Sequence, residues 1–300
     1  MTFPISAVVI AKNESRNIGR CLRSLQWCDE VVVVDDHSED DTVDIAESLG
    51  ARVVNHRFES FAAQRNWALE AAGLHHPWAL MLDADEAMTP ESAGEVAAAV
   101  AAVSPKIAGF LMCRKTMFLN RWLRHCDGFP VWIMRLVHVD RARFVDSGHG
   151  EVPAPPVDGE LARIRQPFLH YPFSHGVSHW FARHNVYSSR EAELELQGRL
   201  PWSWRDILRG KGPEHRRAIR NLGRNAPLRP FWRFLYHYVW RKGFLDGRAG
   251  LAYSLLMATY EGMILLKRRE KELECVPLDP PAVEPLPRAG ALSRSFSAEL

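Results

Sequence analysis

No glycine-rich phosphate loop is present in this sequence: G-x-G-x-x-G does not follow the first apolar strand, and G-x-x-x-x-G-K-[ST] occurs nowhere. Dinucleotide-dependent oxidoreductases and P-loop NTPases therefore lose their specific support. The five cysteines, Cys21, Cys28, Cys113, Cys126 and Cys275, contain no C-x-x-C pair, and Met1 is not followed by the charged, apolar and small-residue blocks of a secretory signal. A reducing, cytoplasmic setting is expected. An uninterrupted apolar stretch of the roughly 20 residues that a membrane span needs is also missing. Asp246 and Arg248 precede the longest candidate and Glu261 breaks it. No internal repeat is visible.

What is there suffices for a real core: 47% of 300 residues are hydrophobic, enough for one large domain with an appended helical part. The net charge of +2 hides an asymmetry. Residues 199–248 hold 13 Lys or Arg against 3 acids, Asp206, Glu214 and Asp246, whereas the remainder holds 25 against 33. An acidic part is thus joined to a basic one.

Along the first part, apolar runs alternate with helical patterns. Ile5 to Ala11, Glu30 to Val34, Arg52 to Asn55 and Ala79 to Leu82 read as strands. The helices between them are carried by Ile18, Leu22 and Leu25, by Thr42 to Leu49 before Gly50, and by Phe58 to Ala72 before Gly73. Such alternation predicts an α/β fold, a largely parallel sheet covered by helices. Ligands of such sheets bind beyond the carboxyl ends of the strands, where Asp35 and Asp83 both fall.

Met81-Leu82-Asp83-Ala84-Asp85-Glu86 carries the chemistry. Asp83 and Asp85 share one face of an extended backbone, and two carboxylates so placed repel unless a cation lies between them. A hard divalent ion such as Mg²⁺ or Mn²⁺ prefers oxygen ligands and bridges carboxylate to diphosphate. The competing reading is a solvated turn, with Thr89 and Pro90 opening the next helix. Asp35 or Asp36 can accept from a nucleotide's base or ribose, and the plainer alternative is capping by Ser38 or Asp40. Arg65, in Gln64-Arg65-Asn66, can reach a nucleotide or lie on a solvated helix face.

Val33-Val34-Asp35-Asp36-His37-Ser38-Glu39-Asp40-Asp41-Thr42, Gln64-Arg65-Asn66 and Leu82-Asp83-Ala84-Asp85-Glu86 resemble, in order, three motifs of family 2 glycosyltransferases with the GT-A fold. Further segments resemble the subgroup of bacterial lipopolysaccharide core glycosyltransferases: Arg135-Leu136, the region of His149-Gly150-Glu151, Leu169-His170-Tyr171, Asn185 to Ala192, and Gly243 to Gly250. This resemblance implies a nucleotide-sugar donor held by Ala11 through its backbone and by Asp35, Asp36, Arg65 and Asp83. It implies a divalent metal on Asp85, completed by His170, and an inverting transfer that needs a carboxylate base. Glu151 is the first choice of base, with Asp146 and Asp127 as alternatives. Relatives carry an adjacent His-Glu pair, and the additional Gly150 here leaves the base open.

After Pro156 the pattern turns aromatic, basic and helical. Trp180 to Leu196 reads as a helix, and Phe231 to Tyr238 interleaves rings with cations. An anionic membrane surface suits this composition, a packed helical subdomain is the alternative, and nucleic acid is the weaker partner because no nucleic-acid motif accompanies the charge. The expected organisation is a catalytic domain over 1–195, a membrane-associating helical region over 196–273, and a disordered tail over 274–300. The expected protein is peripheral at the inner face of the cytoplasmic membrane and acts on a lipid-linked or envelope glycan. A nucleotidyltransferase, which also uses paired Asp and Mg²⁺, is the enzyme alternative.

Overall fold

The computed structural model describes residues 2–147, 150–154, 159–197 and 228–273. Its centre is a nine-stranded sheet. The first half follows the expected alternation: β1 (Phe3–Ala11), α1 (Ile18–Arg23), β2 (Cys28–Asp35), α2 (Thr42–Ser48), β3 (Arg52–Asn55), α3 (Phe61–Ala71) and β4 (Trp78–Asp83). β3, β2, β1 and β4 lie side by side and parallel, with Ala11 opposite Asp35 and Ile10 opposite Asp83. That register brings the loops after β1, β2 and β4 to one edge.

The second half is mixed. A short β5 (Glu86–Ala87) leads to α4 (Pro90–Ala101), whose start is fixed by a capping box between Thr89 and Ser92. Then come β6 (Ile107–Phe118), β7 (Arg121–Trp122), β8 (Trp132–His138), the hairpin β9 (Phe144–Ser147) and β10 (Gly150–Pro153), and β11 (Glu160–His170). β8 runs antiparallel between β4 and β6, and β11 runs parallel to β6. The ends of β6 and β11, with Thr116 opposite His170, therefore reach the same edge as Asp83. Buried side chains cover both faces. Ile5, Val9, Leu80 and Phe168 fill one cluster against α1 and α4, while Val8, Met81, Met134 and Phe144 fill another against α3.

A helical layer closes the fold. It consists of α5 (Gly176–Gln197), α6 (Arg229–Leu235), a π-helical turn (Tyr236–Trp240), a 3₁₀ turn (Gly243–Asp246) and α7 (Gly247–Glu272). Trp180, Ala249 and Leu256 pack with Phe118, Leu123 and Cys126 of the sheet domain. α5 lies along α7, so the helical layer begins at Gly176 and takes in a helix that the sequence assigns to the catalytic part. Gly250 is required at the start of α7, because a Cβ there would overlap the carbonyl oxygen of Gly243.

The helix from Gly243 to Glu272 is long and apolar enough to cross a bilayer, which corrects the expectation of a stretch too short to do so. Its interrupting acid has a local partner: buried Glu261 pairs with Arg229 at 2.5 Å and with Arg233 at 2.5 Å. Most of the basic excess, 199–227, and the expected tail, 274–300, lie outside the described residues.

Candidate active site

The loops at the carboxyl edge hold the residues expected on the donor side. Asp35 ends β2 fully buried, and its carboxylate accepts from the backbone N–H of Ser38 at 2.7 Å and from Ser38 Oγ at 2.5 Å. These two bonds fix the turn after β2. Asp36 accepts from Lys12 Nζ at 2.7 Å and from the Phe58 N–H at 3.1 Å. Burial pushes this carboxyl's pKa up, but the ammonium and the N–H outweigh burial and leave it below the usual range. The Ala11 carbonyl oxygen accepts the Asp36 N–H at 3.0 Å, which ties the ends of β1 and β2 together.

Asp83, Glu86, Arg65, Arg135 and Glu151 form one network. Arg65 is not on a solvated helix face: it is 0% exposed. Its Nη2 donates to Asp83 Oδ1 at 2.6 Å and its Nε to Glu151 Oε1 at 3.0 Å, while Nη1 is buried with no partner. Arg135, equally enclosed, bonds Glu86 through Nε at 2.9 Å and through Nη2 at 2.7 Å. It also reaches Asp83 Oδ2 at 3.1 Å and Glu151 Oε1 at 3.2 Å. Buried guanidinium groups cost several kcal/mol unless paired this closely, so the network is held by necessity.

Burial raises the pKa of Asp83, yet Arg65, Arg135 and then His170 outweigh it and keep the carboxyl below its ordinary value. Glu86 moves the other way, pushed up by burial and by the neighbouring Asp83 charge against the pull of Arg135. Cys21, whose Sγ lies 3.8 Å from the Asp83 carbonyl oxygen, is driven up by burial and by Glu86, Asp85 and Asp83. It is a packing residue and not a nucleophile.

Asp85 and His170 face each other across the adjoining strand ends, with Oδ2 and Nε2 3.5 Å apart. His170 Nδ1 is buried with no partner. Among the described residues no group of three or more His, Cys, Asp or Glu is placed to hold a metal ion by itself. The two residues nevertheless fit an ion such as Mg²⁺ or Mn²⁺, which takes one or two protein ligands and fills its remaining positions with water and substrate phosphate. Charge agrees with this. Asp83, Asp85, Glu86 and Glu151 are matched by two arginines, Arg65 and Arg135, beside His170, so the edge carries a formal negative excess that a divalent cation would offset.

The candidate bases sit in three different settings. Glu151, on β10, lies in the network beside Asp83 and lines a cavity of ≈ 380 Å³. Asp146 is its register partner on β9, but its carboxylate accepts from Ser60 Oγ at 2.8 Å and from the Ala62 N–H at 3.3 Å, at the start of α3. Asp127 accepts from Thr116 Oγ1 at 2.5 Å and from Tyr253 Oη at 2.6 Å, which ties it to α7. His149 lies outside the described residues.

Two members of the network had no foreseen role. Arg135 stands inside the apolar run Ile133-Met134-Arg135-Leu136-Val137, and a cation in such a run must find carboxylates. That was the available signal, and it also leads to Glu86, the acid nearest the two paired Asp residues.

Residues 6–146 match the model of glycosyl transferase family 2. An uncharacterized glycosyltransferase of Rickettsia bellii is 28% identical over 289 residues, which cover 92% of this chain and 90% of that protein. The lipopolysaccharide core biosynthesis glycosyltransferase LpsC of Rhizobium meliloti is 24% identical over 267 residues, 85% of this chain and 91% of its own. A glycosyltransferase of Rickettsia conorii reaches 41% identity over 97 residues, 32% of this chain and 34% of that one. Among solved structures, the glucosyl-3-phosphoglycerate synthase of Mycobacterium tuberculosis with Mn²⁺, uridine diphosphate and glucosyl-3-phosphoglycerate is 23% identical at a TM-score of 0.32, over 38% of this chain and 44% of that chain. The mannosyl-3-phosphoglycerate synthase of Rubrobacter xylanophilus is 23% identical at a TM-score of 0.33, over 38% of this chain and 41% of its own. The matched region thus spans less than half of either structure.

Proposed function

We propose that the chain, which belongs to glycosyltransferase family 2 through residues 6–146, carries out metal-dependent, inverting transfer from a nucleoside-diphosphate sugar to a lipid-linked or envelope glycan. The observation that carries this reading is the joint hold of Arg65 and Arg135 on Asp83 and Glu151 at the carboxyl edge. With Asp83 and Glu151 side by side and positive charge between them, it supports a donor-side role for Asp83 and a base role for Glu151.

The donor's nucleoside lies over the loops after β1 and β2, and its diphosphate lies toward Asp83 and Asp85. Asp85 and His170 would hold a divalent ion, which would supply charge neutralisation for the leaving diphosphate. Glu151 takes the proton of the acceptor hydroxyl. The hydroxyl oxygen then bonds to the sugar C1 as the C1–O bond to the diphosphate breaks, and nucleoside diphosphate departs with the bonding pair. Attack on the side opposite the leaving group inverts the anomeric centre. Arg65 and Arg135 hold Glu151 and Asp83 in place before the substrates arrive, so little reorganisation is left for the reaction itself.

An envelope glycan as acceptor is supported by the role of the Rhizobium meliloti relative in lipopolysaccharide core biosynthesis. A site at the inner face of the cytoplasmic membrane is supported by the outer surface of the helical layer. There Trp240 is 80% exposed and Trp232 53%, beside exposed Phe231, Tyr236, Phe244 and Leu245. Lys242 and Arg248 are exposed among them. Rings and cations together suit an anionic interface. The deciding experiment is a donor panel assayed with Mg²⁺ or Mn²⁺, with and without extracted lipid acceptors. Acceptor-dependent release of free nucleoside diphosphate is expected, and release of pyrophosphate would instead make the protein a nucleotidyltransferase.

A further inference from the structure

The cavity beside Glu151 is walled by Phe61, Trp132, Phe144 and Val152, and beyond Asp83, Arg135 and Glu151 of the network it is lined by one further charged side chain, Arg114. The charges around it are unevenly matched. Asp83 and Glu151 are already paired with Arg65 and Arg135. Arg114 lies within ion-pair distance of no carboxylate among the described residues, and its Nε is buried without a hydrogen-bond partner. The neighbouring acid, Asp127, has both oxygens occupied by Thr116 and Tyr253.

A buried guanidinium N–H without an acceptor is costly. Planar guanidinium groups satisfy that need best with a carboxylate or phosphate, which they take through two parallel hydrogen bonds. The volume of ≈ 380 Å³ suits a ligand of one or two sugar rings. Trp132, with the Arg163 guanidinium 4.9 Å from its ring centroid, contributes an aromatic wall against which the apolar face of a sugar can lie.

We propose that this cavity is the acceptor subsite and that it selects an acidic acceptor sugar, one bearing a carboxylate or a phosphate that Arg114 binds, with a hydroxyl of that sugar turned toward Glu151. The proposal rests on the glycosyl-transfer reading and specifies its acceptor. A neutral sugar of the same size would fill the walls and leave Arg114 unpaired, so discrimination comes from the anion.

The full-length protein, titrated by ligand-observed NMR with D-glucuronate, D-glucose 6-phosphate and D-glucose, tests this. The two acidic sugars should bind about tenfold or more tightly than glucose, the size of a charge-assisted hydrogen bond. Their order of affinity separates carboxylate from phosphate recognition. Arg114→Gln should bring all three to the same weak affinity, Arg114→Lys should restore part of the preference, and the affinity of Mg²⁺ with a panel of nucleoside diphosphates should stay unchanged in both. Equal binding of acidic and neutral sugars by the unaltered protein, no detectable binding of any, or a preference that survives Arg114→Gln would overturn the proposal. Failure of the glycosyl-transfer reading would show separately, as absence of nucleoside diphosphate binding in the same samples.

Discussion

Arg65 Nε and Glu151 Oε1 lie 3.0 Å apart, although 86 positions separate the two residues in the chain. The contact joins the helix after β3 to the hairpin after β8, and through it the two halves of the sheet meet at one edge. Arg135 Nη1 reaches the same oxygen at 3.2 Å, so two guanidiniums fix the position of the proposed base beside Asp83.

Glu151→Gln should keep the fold, since an amide oxygen can still accept from both arginines, and should lower kcat by about 10²- to 10⁴-fold as expected for loss of a general base. Initial rates of nucleoside diphosphate release, compared with thermal melting of the same sample, check this. A variant within threefold of the unaltered protein would move the base to Asp127 or Asp146.

Asp85→Ala should abolish metal-stimulated turnover without loss of stability, because removing this charge relieves repulsion at an edge that carries an excess of carboxylates. His170→Ala should weaken the metal dependence less, leaving a carboxylate in place. Activity titrated against Mg²⁺ and Mn²⁺, with chelator as the blank, measures both. Full turnover of Asp85→Ala in chelator would end the metal assignment.

Asp246 sets the attachment of the helical layer. Its carboxylate accepts from the N–H groups of His125 at 3.0 Å and Cys126 at 2.9 Å and from His125 Nδ1 at 2.7 Å. Burial raises its pKa, but the Cys126 and His125 donors outweigh burial and leave the carboxyl below its ordinary value. A group depressed in this way contributes stability that is complete above the unfolded value of about 3.9 and is lost as pH falls through the folded one. Asp246→Ala should therefore cost about 3 kcal/mol near neutrality, mostly from the stranded N–H groups. Urea melts at pH 3 to 7 should show the gap to the unaltered protein closing below pH ~4. A gap independent of pH would assign the loss to packing alone.

The exposed rings of the helical layer should bind anionic vesicles at low salt. Each Lys or Arg near such a surface contributes about 1 kcal/mol, and raising the salt to about 1 M shortens the Debye length to about 3 Å, so release is expected. The double variant Trp232→Ser and Trp240→Ser should sediment less with vesicles while keeping soluble-assay turnover. Retention that only detergent reverses would mean that the helix from Gly243 to Glu272 inserts.

The first four strands and their helices were legible because each is short, apolar and closed by a Gly, a capping residue or an acidic loop. Asp83, Asp85 and Arg65 were legible for the same reason, since they stand where such a strand or helix meets the edge. The mixed half was not. β6 carries Arg114 and Lys115 inside an otherwise apolar run, and β8 carries Arg135, so periodicity alone gives neither strand direction nor order. Two of the partners of Arg135, Glu86 and Asp83, are 49 and 52 positions upstream, and the third, Glu151, is 16 downstream. Only the fold brings them together. Asp246, which precedes the apolar helix, and Glu261, which interrupts it, are met by His125, Cys126, Arg229 and Arg233, none of them near in sequence.

The charge network has a consequence for how this sequence can drift. Arg135 serves Asp83, Glu86 and Glu151 at once, and Arg65 serves two of the three. Loss of either guanidinium leaves three carboxylates to the one that remains, whereas loss of one carboxylate only brings the two signs into balance. Replacement of either arginine is therefore selected against even where it touches no substrate, and the cationic positions can change only together with a carboxylate. Second-site suppressors of an Arg135 lesion should accordingly fall at Glu86 before any position on the surface, which makes the cluster a unit of inheritance as well as of chemistry.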